Sequence, residues 1–273
     1  MPRRPIIGVF DSGFGGLTVL KELVALIPHA EYVYFGDTAR LPYGSKSAET
    51  VAKYAVGAAH FLEAHNIELL VVACNTATAL ALPEITKAAH VPVIGVVEPG
   101  AERASACSKT KKAVVVATEA TVASHAYYKA LHARGVDAKE KACPLLVPLV
   151  EEGWIDHRVT EEVARIYLDE AFTDGFDSAD VLLLGCTHYP LIKPLLRRVA
   201  PRHVSIVDSA ESTAWVVASQ LHAEPLPASS EDERRAHPRV KFFATDSVEK
   251  FGRLGAMFMG HPIDQVEHAD LKE

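Results

Sequence analysis

Short apolar runs recur along the chain, and each is followed by polar or small residues and then by a segment of helical composition. Continuous apolar runs of this length are typical of strands that are buried on both faces of a parallel sheet. The pattern predicts eight strands, near Ile6–Phe10, Tyr32–Gly36, Leu69–Ala73, Val93–Val96, Ala113–Ala117, Val181–Leu184, Val204–Val207 and Lys241–Phe243. Helices are expected in most intervals, so the alternation predicts an α/β fold with mainly parallel sheets.

Two segments indicate that the chain changes domain. Glu98–Ala101 contains proline and glycine where the chain would leave a first domain, and Asp208–Ser209 is where it would return. We therefore expect residues 1–97 and 209–273 to form one α/β domain and residues 98–208 to form a second, inserted domain. A further segment, Glu224–Pro238, is poor in apolar residues and is expected to be a surface loop without chemistry.

Two of the predicted strands end in a cysteine with polar neighbours. Cys74 is followed by Asn75 and Thr76, either of which could cap a helix, and Cys186 is followed by Thr187. A lone cysteine after a strand is most often a small buried hydrophobic residue. The matched polar neighbours argue instead for thiols that act on a polar substrate, and a helix N-terminus beside the first thiol would favour its thiolate.

The turn after the first strand contains several glycines, as dinucleotide-binding turns do. Gly13 and Gly15 fit the first part of such a motif, but Thr18 stands where its third glycine would be. Nucleotide binding is therefore disfavoured. Asp11 ends a buried strand and needs a partner, whereas Ser12 could equally cap the following helix or contact a substrate.

Composition and charge narrow the class of protein. The chain has 273 residues, 49% of them hydrophobic, and a formal net charge of -7. These values predict a globular protein and argue against nucleic acid as its main partner. No apolar stretch approaches the roughly 18 to 20 residues of a membrane span, and Ile6–Phe10 is too short for a secretory signal, so we expect a cytoplasmic protein without membrane contact. The four cysteines form no C-x-x-C pair, which disfavours disulfide and zinc frameworks.

Five motifs together resemble the glutamate racemase family over almost the entire chain. They are Asp11–Gly16, Gly36–Ser45, Ala73–Ala79, Val97–Gly100 and Leu184–Pro190. The chain departs from the family at Thr245–Val248, where a Thr-Gly-Asp sequence is more frequent. The resemblance implies two pseudo-symmetric α/β domains with the active site in the cleft between them. It also implies interconversion of L-glutamate and D-glutamate without a cofactor, supplying D-glutamate for peptidoglycan.

The resemblance further implies which residues act. Cys74 and Cys186 would be the acid and base, assisted by Asp11, Glu152 and His188, and Cys74 would deprotonate D-glutamate and Cys186 L-glutamate. The implied substrate-binding residues are Asp11, Ser12, Pro42, Tyr43, Gly44, Asn75, Thr76, Thr118, Thr121, Thr187 and His188. Judged singly, a histidine such as His188 could equally belong to the core, and a glutamate such as Glu152 is more often merely exposed. Cys107 and Cys143 are expected to be structural.

The chemistry suits two thiols. Inverting an α-carbon requires that a proton leave one face and another arrive at the opposite face, and two opposed acid–base groups achieve this without moving the substrate. Three alternatives stay open: a racemase of glutamate, a racemase of aspartate or another amino acid, and a two-domain binding protein that needs no paired thiols. A homodimer is one of the assemblies that the sequence allows.

Overall fold

The computed structural model describes residues 4–221, 239–263 and 265–271. The strands are β1 (Ile6–Asp11), β2 (Glu31–Gly36), β3 (Leu69–Val72), β4 (Val93–Gly95), β5 (Lys112–Ala117), β6 (Asp137–Ala142), β7 (Val181–Gly185), β8 (Ser205–Asp208), β9 (Val240–Ala244) and β10 (Val266–His268). The helices are α1 (Leu17–Leu26), α2 (Ala48–Glu63), α3 (Asn75–Ala88), α4 (Val97–Cys107), α5 (Glu119–Ser124), α6 (Ala126–His132), α7 (Leu146–Glu151), α8 (Arg158–Ala171), α9 (Lys193–Val199), α10 (Ser209–Gln220) and α11 (Val248–Met259). Two 3₁₀ helices occur at Tyr43–Ser45 and Tyr189–Ile192.

The strands form two sheets in which every described pairing is parallel. The larger sheet has the order β10-β9-β2-β1-β3-β4, and the smaller has the order β6-β5-β7-β8. We refer to each sheet, with the segments attached to its strand ends, as the larger and the smaller lobe. The predicted α/β fold with parallel sheets is confirmed. The domain boundaries at residues 97/98 and 208/209 stay a prediction, and Glu224–Pro238 lies outside the described residues.

All eight strands predicted from apolar runs are present, but two edge strands were missed. In β6, four of the six residues are charged, which removes the apolar run on which the prediction depended. Charges on an edge strand are common because they discourage pairing with another chain. The other missed strand, β10, spans three residues at the far edge of the larger sheet.

Local sequence accounts for the regular elements. All four residues of β3 are buried and apolar, as expected for a strand covered on both faces. In α2 the buried residues Val51, Ala55, Ala58, Ala59 and Leu62 recur at helical spacing, and the Ser47 side chain caps the helix by accepting from the Thr50 N–H. No described helix combines the length and the apolarity that crossing a membrane requires.

The carboxyl ends of both sheets supply the residues that the sequence singled out. Ser12 follows β1, Cys74 follows β3 after one residue, Thr118 follows β5, and Cys186 follows β7. Ligand sites of parallel α/β sheets lie outside the carboxyl ends of the strands, because the loops and the helix N-termini converge there. The topology therefore brings residues that are far apart in sequence to one place.

Candidate active site

Both cysteines singled out from the sequence line one cavity of about 220 Å³. Its wall also includes Asn75, Thr187 and His188, so residues of both lobes contribute. Of the implied substrate-binding residues, nine line the cavity: Ser12, Pro42, Tyr43, Gly44, Asn75, Thr76, Thr118, Thr187 and His188. Asp11 and Thr121 do not line it. Within the described part of the chain, no group of three or more His, Cys, Asp or Glu side chains could hold a metal ion.

Cys74 forms the N-cap of α3. Its sulfur accepts from the Ala77 N–H at 3.4 Å and lies 3.4 Å from the Ser12 hydroxyl oxygen. The sequence placed Asn75 or Thr76 as the cap, but Asn75 is already the first residue of the helix and the thiol takes the capping position. The helix N-terminus was expected to favour the thiolate. Instead burial, followed by the charge of Asp11, raises the pKa of Cys74 to about 12, and the Ser12 and Ala77 hydrogen bonds offset only part of this.

Cys186 has different surroundings, so the two thiol sites are not equivalent. It lies in a turn that leads into the 3₁₀ helix Tyr189–Ile192, and α9 begins only at Lys193. The residue before this 3₁₀ helix is His188, so Thr187 does not cap it, and the second thiol lacks the regular helix N-terminus that Cys74 has. Its neighbour is a histidine instead: the sulfur lies 3.9 Å from Nδ1 of His188.

His188 connects Cys186 to an acidic residue. Its Nε2 lies 3.2 Å from Oε1 of Glu151, whose other oxygen faces Nζ of Lys250 at 3.5 Å. Burial lowers the pKa of His188, but the hydrogen bonds and charges of Cys186 and Glu151 outweigh burial and raise it to about 10. Burial alone would raise the pKa of Glu151. The hydrogen bond and charge of His188, together with the charge of Lys250, outweigh burial and lower this pKa below its usual range. The ring is thus held as a cation beside the Cys186 sulfur.

The glutamate that contacts His188 is Glu151, one residue before the Glu152 that the sequence resemblance implied. Glu151 lines the cavity, whereas Glu152 is exposed and lies outside the cavity wall. The reason is the phase of the helix: Val147 and Pro148 also line the cavity, and Glu151 follows them by four and three residues on the same face of α7.

Asp11 is a buried carboxylate that is only half satisfied. Its Oδ2 accepts from the Gly13 N–H at 2.8 Å, while Oδ1 is buried without a hydrogen-bond partner among the described residues. Burial raises its pKa, and the positive charge of His188 opposes this. The charge of Asp11 in turn contributes to the raised pKa of Cys74.

Hydroxyl groups form another part of the wall. Thr118 Oγ1 lies 3.0 Å from Thr76 Oγ1 and 2.9 Å from Thr121 Oγ1, so three hydroxyls from both lobes form one cluster. The lobes approach closely here, because a Cβ added at Gly44 would lie 3.2 Å from Thr118 Cβ. Such a cluster can exchange its mutual hydrogen bonds for bonds to a carboxylate.

The hydroxyl of Tyr43 is hydrogen-bonded to a buried carboxylate. It donates to Oδ2 of Asp37 at 2.6 Å, and Oδ1 of Asp37 accepts from Thr245 Oγ1 at 2.9 Å and from Arg40 at 3.0 Å. Burial, followed by the Asp37 charge, raises the pKa of Tyr43, so its phenol stays protonated. Tyr43 can therefore shape the cavity only with its ring and backbone. The chain departs from the family pattern at Thr245. Its hydroxyl donates to Asp37, which also accepts from the cavity residue Tyr43.

Cys143 is a cavity residue that sequence reasoning left as structural. It is fully buried, lines the cavity, and its pKa is raised to about 12, chiefly by burial. Cys107 is half-buried and does not line the cavity. All four cysteines are free thiols. Sequence reasoning did not separate Cys143 from Cys107, since neither directly follows a strand predicted from an apolar run.

Comparison with known proteins decides the family. The model of the Asp/Glu/hydantoin racemases matches residues 7–217. The chain belongs to the Asp/Glu/hydantoin racemase family. It is therefore an enzyme, an isomerase that acts as a racemase, and the resemblance inferred from the five motifs is confirmed.

Similar proteins within the racemase family align over nearly their whole lengths. A glutamate racemase of Koribacter versatilis is 59% identical over an alignment of 286 positions, which covers 98% of each chain. A glutamate racemase isoform of Bacillus anthracis is 36% identical, with a TM-score of 0.88 and 98% of each chain covered. The Francisella tularensis glutamate racemase, solved in complex with D-glutamate, is 34% identical, with a TM-score of 0.86 and 99% of each chain covered.

Proposed function

We propose that this chain interconverts L-glutamate and D-glutamate without a cofactor, with Cys74 and Cys186 as the two acid–base groups. The observation that carries the proposal is that these thiols, at the carboxyl ends of strands in different sheets, line the same cavity. A cavity of about 220 Å³ suits a small amino acid. Glutamate is the proposed substrate because similar proteins are glutamate racemases.

In the proposed reaction, the thiolate of one cysteine takes the proton from Cα, and the bonding electron pair stays on the substrate, spread into its carboxylate. The thiol of the other cysteine then donates its proton to Cα from the opposite face. Each turnover therefore exchanges the protonation states of the two sulfurs. Positioned acid–base catalysis supplies only about 10² to 10⁴-fold, so the carboxylate needs further stabilisation from hydrogen-bond donors. Ser12, Asn75, Thr76 and Thr187 line the cavity and are suitable donors.

The different surroundings of the two thiols suggest a resting state. The ring of His188 lies beside the Cys186 sulfur, whereas burial raises the pKa of Cys74 and favours its thiol form. The resting enzyme would then be ready to deprotonate the enantiomer that presents its α-proton to Cys186, which by resemblance is L-glutamate. Glu151 rather than Glu152 would hold the His188 ring in place.

Circular dichroism of pure L-glutamate tests the proposal, using protein purified with chelator and free of pyridoxal phosphate. We expect the signal to decay to zero as a racemic mixture forms, and D-glutamate to behave likewise. L-aspartate and other amino acids run in parallel distinguish a racemase of another substrate, and unchanged signals with all substrates would favour a binding protein. Activity that appears only when pyridoxal phosphate is added would contradict the cofactor-independent mechanism. We further propose that the D-glutamate serves peptidoglycan synthesis in the cytoplasm.

A further inference from the structure

The turn that carries Cys186 is attached to the larger lobe by a side chain with no role in the reaction proposed above. The hydroxyl of Thr18, in α1, lies 2.9 Å from the backbone carbonyl of Thr187, which directly follows Cys186. The two residues are 169 positions apart in sequence, and Thr18 is 6% exposed. Thr18 occupies the position where a dinucleotide-binding motif would have its third glycine.

The hydroxyl proton of Thr18 is available for donation to the backbone carbonyl of Thr187. The same oxygen also lies 2.9 Å from the Gly15 carbonyl, but that carbonyl already accepts from the Thr18 N–H at 3.0 Å. A threonine hydroxyl has a single proton to donate. The Gly15 carbonyl is satisfied without it, so donation to the Thr187 carbonyl leaves both acceptors paired.

The larger lobe also fits closely around the next residue of this turn. A Cβ added at Gly15 would overlap Thr187 Oγ1 and lie 2.6 Å from Nδ1 of His188, so the absence of a side chain there is required. On another side, the ring of Phe258 packs edge-to-face on the His188 ring, with centroids 5.2 Å apart. Steric contact therefore confines the His188 ring, while the Thr18 hydrogen bond fixes the backbone between this ring and the Cys186 sulfur.

We propose that Thr18 is a positioning residue for Cys186: its hydrogen bond to the Thr187 carbonyl sets the position of the Cys186 sulfur relative to substrate bound against the larger lobe. The inference rests on the proposed two-thiol racemisation. Proton transfer to carbon depends steeply on the distance and angle between donor and acceptor, because a misplacement of about 1 Å can cost about 10²-fold in rate. Cys74 lies in the larger lobe itself, so loss of this bond should disturb proton transfer at Cys186 selectively.

The test uses Thr18→Val, which keeps the shape and removes the hydroxyl, and Thr18→Ser, which keeps the hydroxyl. The matched control is Thr160→Val, because Thr160 is also buried and donates to a backbone carbonyl, that of Trp154, but does not line the cavity. For each variant we would measure the melting temperature, kcat/KM for both enantiomers, and the primary isotope effect with α-deuterated L-glutamate and D-glutamate. Cys186→Ser identifies the enantiomer whose proton Cys186 removes.

For Thr18→Val we expect kcat/KM to fall about 10-fold for both enantiomers, since the equilibrium constant between them is one. We expect the isotope effect to rise for the same enantiomer as in Cys186→Ser and not for the other. Thr18→Ser should stay within about 2-fold of wild type. Thr160→Val should lose stability without changing the isotope effects. If Thr18→Val does not accumulate as folded protein, Thr18→Ala removes the same hydroxyl without the branched side chain.

Two results would overturn the assignment: kinetics of Thr18→Val or Thr18→Ala that match Thr160→Val, or isotope effects that rise equally for both enantiomers. The second result would indicate a general loosening of the cavity. Absence of glutamate racemisation by the wild-type chain would instead refute the proposed function, and this assignment with it. The wild-type measurement therefore separates the two failures.

Discussion

Nε2 of His188 and Oε1 of Glu151 lie 3.2 Å apart, and this contact directs the opposite ring nitrogen toward the Cys186 sulfur at 3.9 Å. A histidine whose far nitrogen is held by a carboxylate has a fixed ring orientation and is more easily protonated. The smaller lobe thus supplies its thiol with a cation, whereas the larger lobe supplies Cys74 with backbone and hydroxyl hydrogen bonds. Removing a proton from Cα and returning one are nearly equivalent steps, yet the two cysteines proposed to carry them out lie in different surroundings.

We expect Cys74→Ala and Cys186→Ala each to lower racemase activity by at least about 10³-fold, because each removes one of the two groups that exchange protons with Cα. Cys107→Ala, whose thiol lies outside the cavity, should keep near-normal activity and is the matched control. Cys143→Ala is also expected to remain active although it lines the cavity. Circular dichroism assays with each enantiomer measure all four variants. Equal losses at all four positions would indicate that the thiols are structural.

The two serine variants separate the roles of the thiols. A serine hydroxyl is far harder to ionise than a thiol but can still donate a proton, so proton abstraction by the changed residue should become the slow step. The primary isotope effect should therefore increase chiefly with D-glutamate in Cys74→Ser and chiefly with L-glutamate in Cys186→Ser. Measurements with α-deuterated enantiomers test this. Identical responses in both variants would contradict the assignment of faces but leave the racemase activity standing.

Glu151 and Glu152 are adjacent and chemically identical, which makes them a direct test of the corrected assignment. We expect Glu151→Gln to lower kcat/KM by about 10 to 100-fold, because the ring of His188 loses the charge that orients it and keeps it protonated. Glu152→Gln should stay within about 2-fold of wild type, since its side chain is exposed. Steady-state kinetics with both enantiomers decide between them. A larger loss at Glu152 would restore the residue that the sequence resemblance implied.

The raised pKa of His188 predicts a stability that depends on pH. The folded protein holds this proton with a pKa of about 10, against an ordinary value of 6.5, so protonation favours the folded state. This contribution is complete below about pH 6.5 and is lost as the pH rises through about 10. Melting temperatures of wild type and His188→Asn should therefore differ most at pH 6 and converge by about pH 10.5. A difference independent of pH would show that the ring contributes only by packing.

Tyr43→Phe tests whether the phenolic hydroxyl supports the cavity wall from behind. Asp37 is fully buried and would lose one of its hydrogen-bond donors, so we expect a loss of about 1 to 2 kcal/mol in the free energy of unfolding. The effect on kcat/KM should be small, because the hydroxyl faces Asp37. Tyr128→Phe, on an exposed side chain, is the control and should change stability by less than about 0.5 kcal/mol. Denaturant unfolding measures both. A large fall in kcat at unchanged stability would instead place the hydroxyl in the reaction.

The amino-acid sequence by itself determined the parallel α/β fold, eight of the ten described strands, and two of the three thiols that line the cavity. Each of these signals is local. An apolar run marks a buried strand, and polar residues directly after the run mark the end where ligands bind. The two missed strands lie at sheet edges, where partial exposure removes the apolar run.

Only the tertiary structure decided which side chains face the cavity and how each thiol is surrounded. The choice between Glu151 and Glu152 depends on the rotation of α7 against His188, and adjacent residues of a helix point about 100° apart. The pKa of Cys74 follows from the burial of its sulfur near Asp11, which outweighs the helix N-terminus that the sequence suggested. The contact between Thr18 and Thr187 joins two lobes whose residues are distant in the chain. Burial and long-range contacts are properties of the packed chain, so no local pattern could have revealed them.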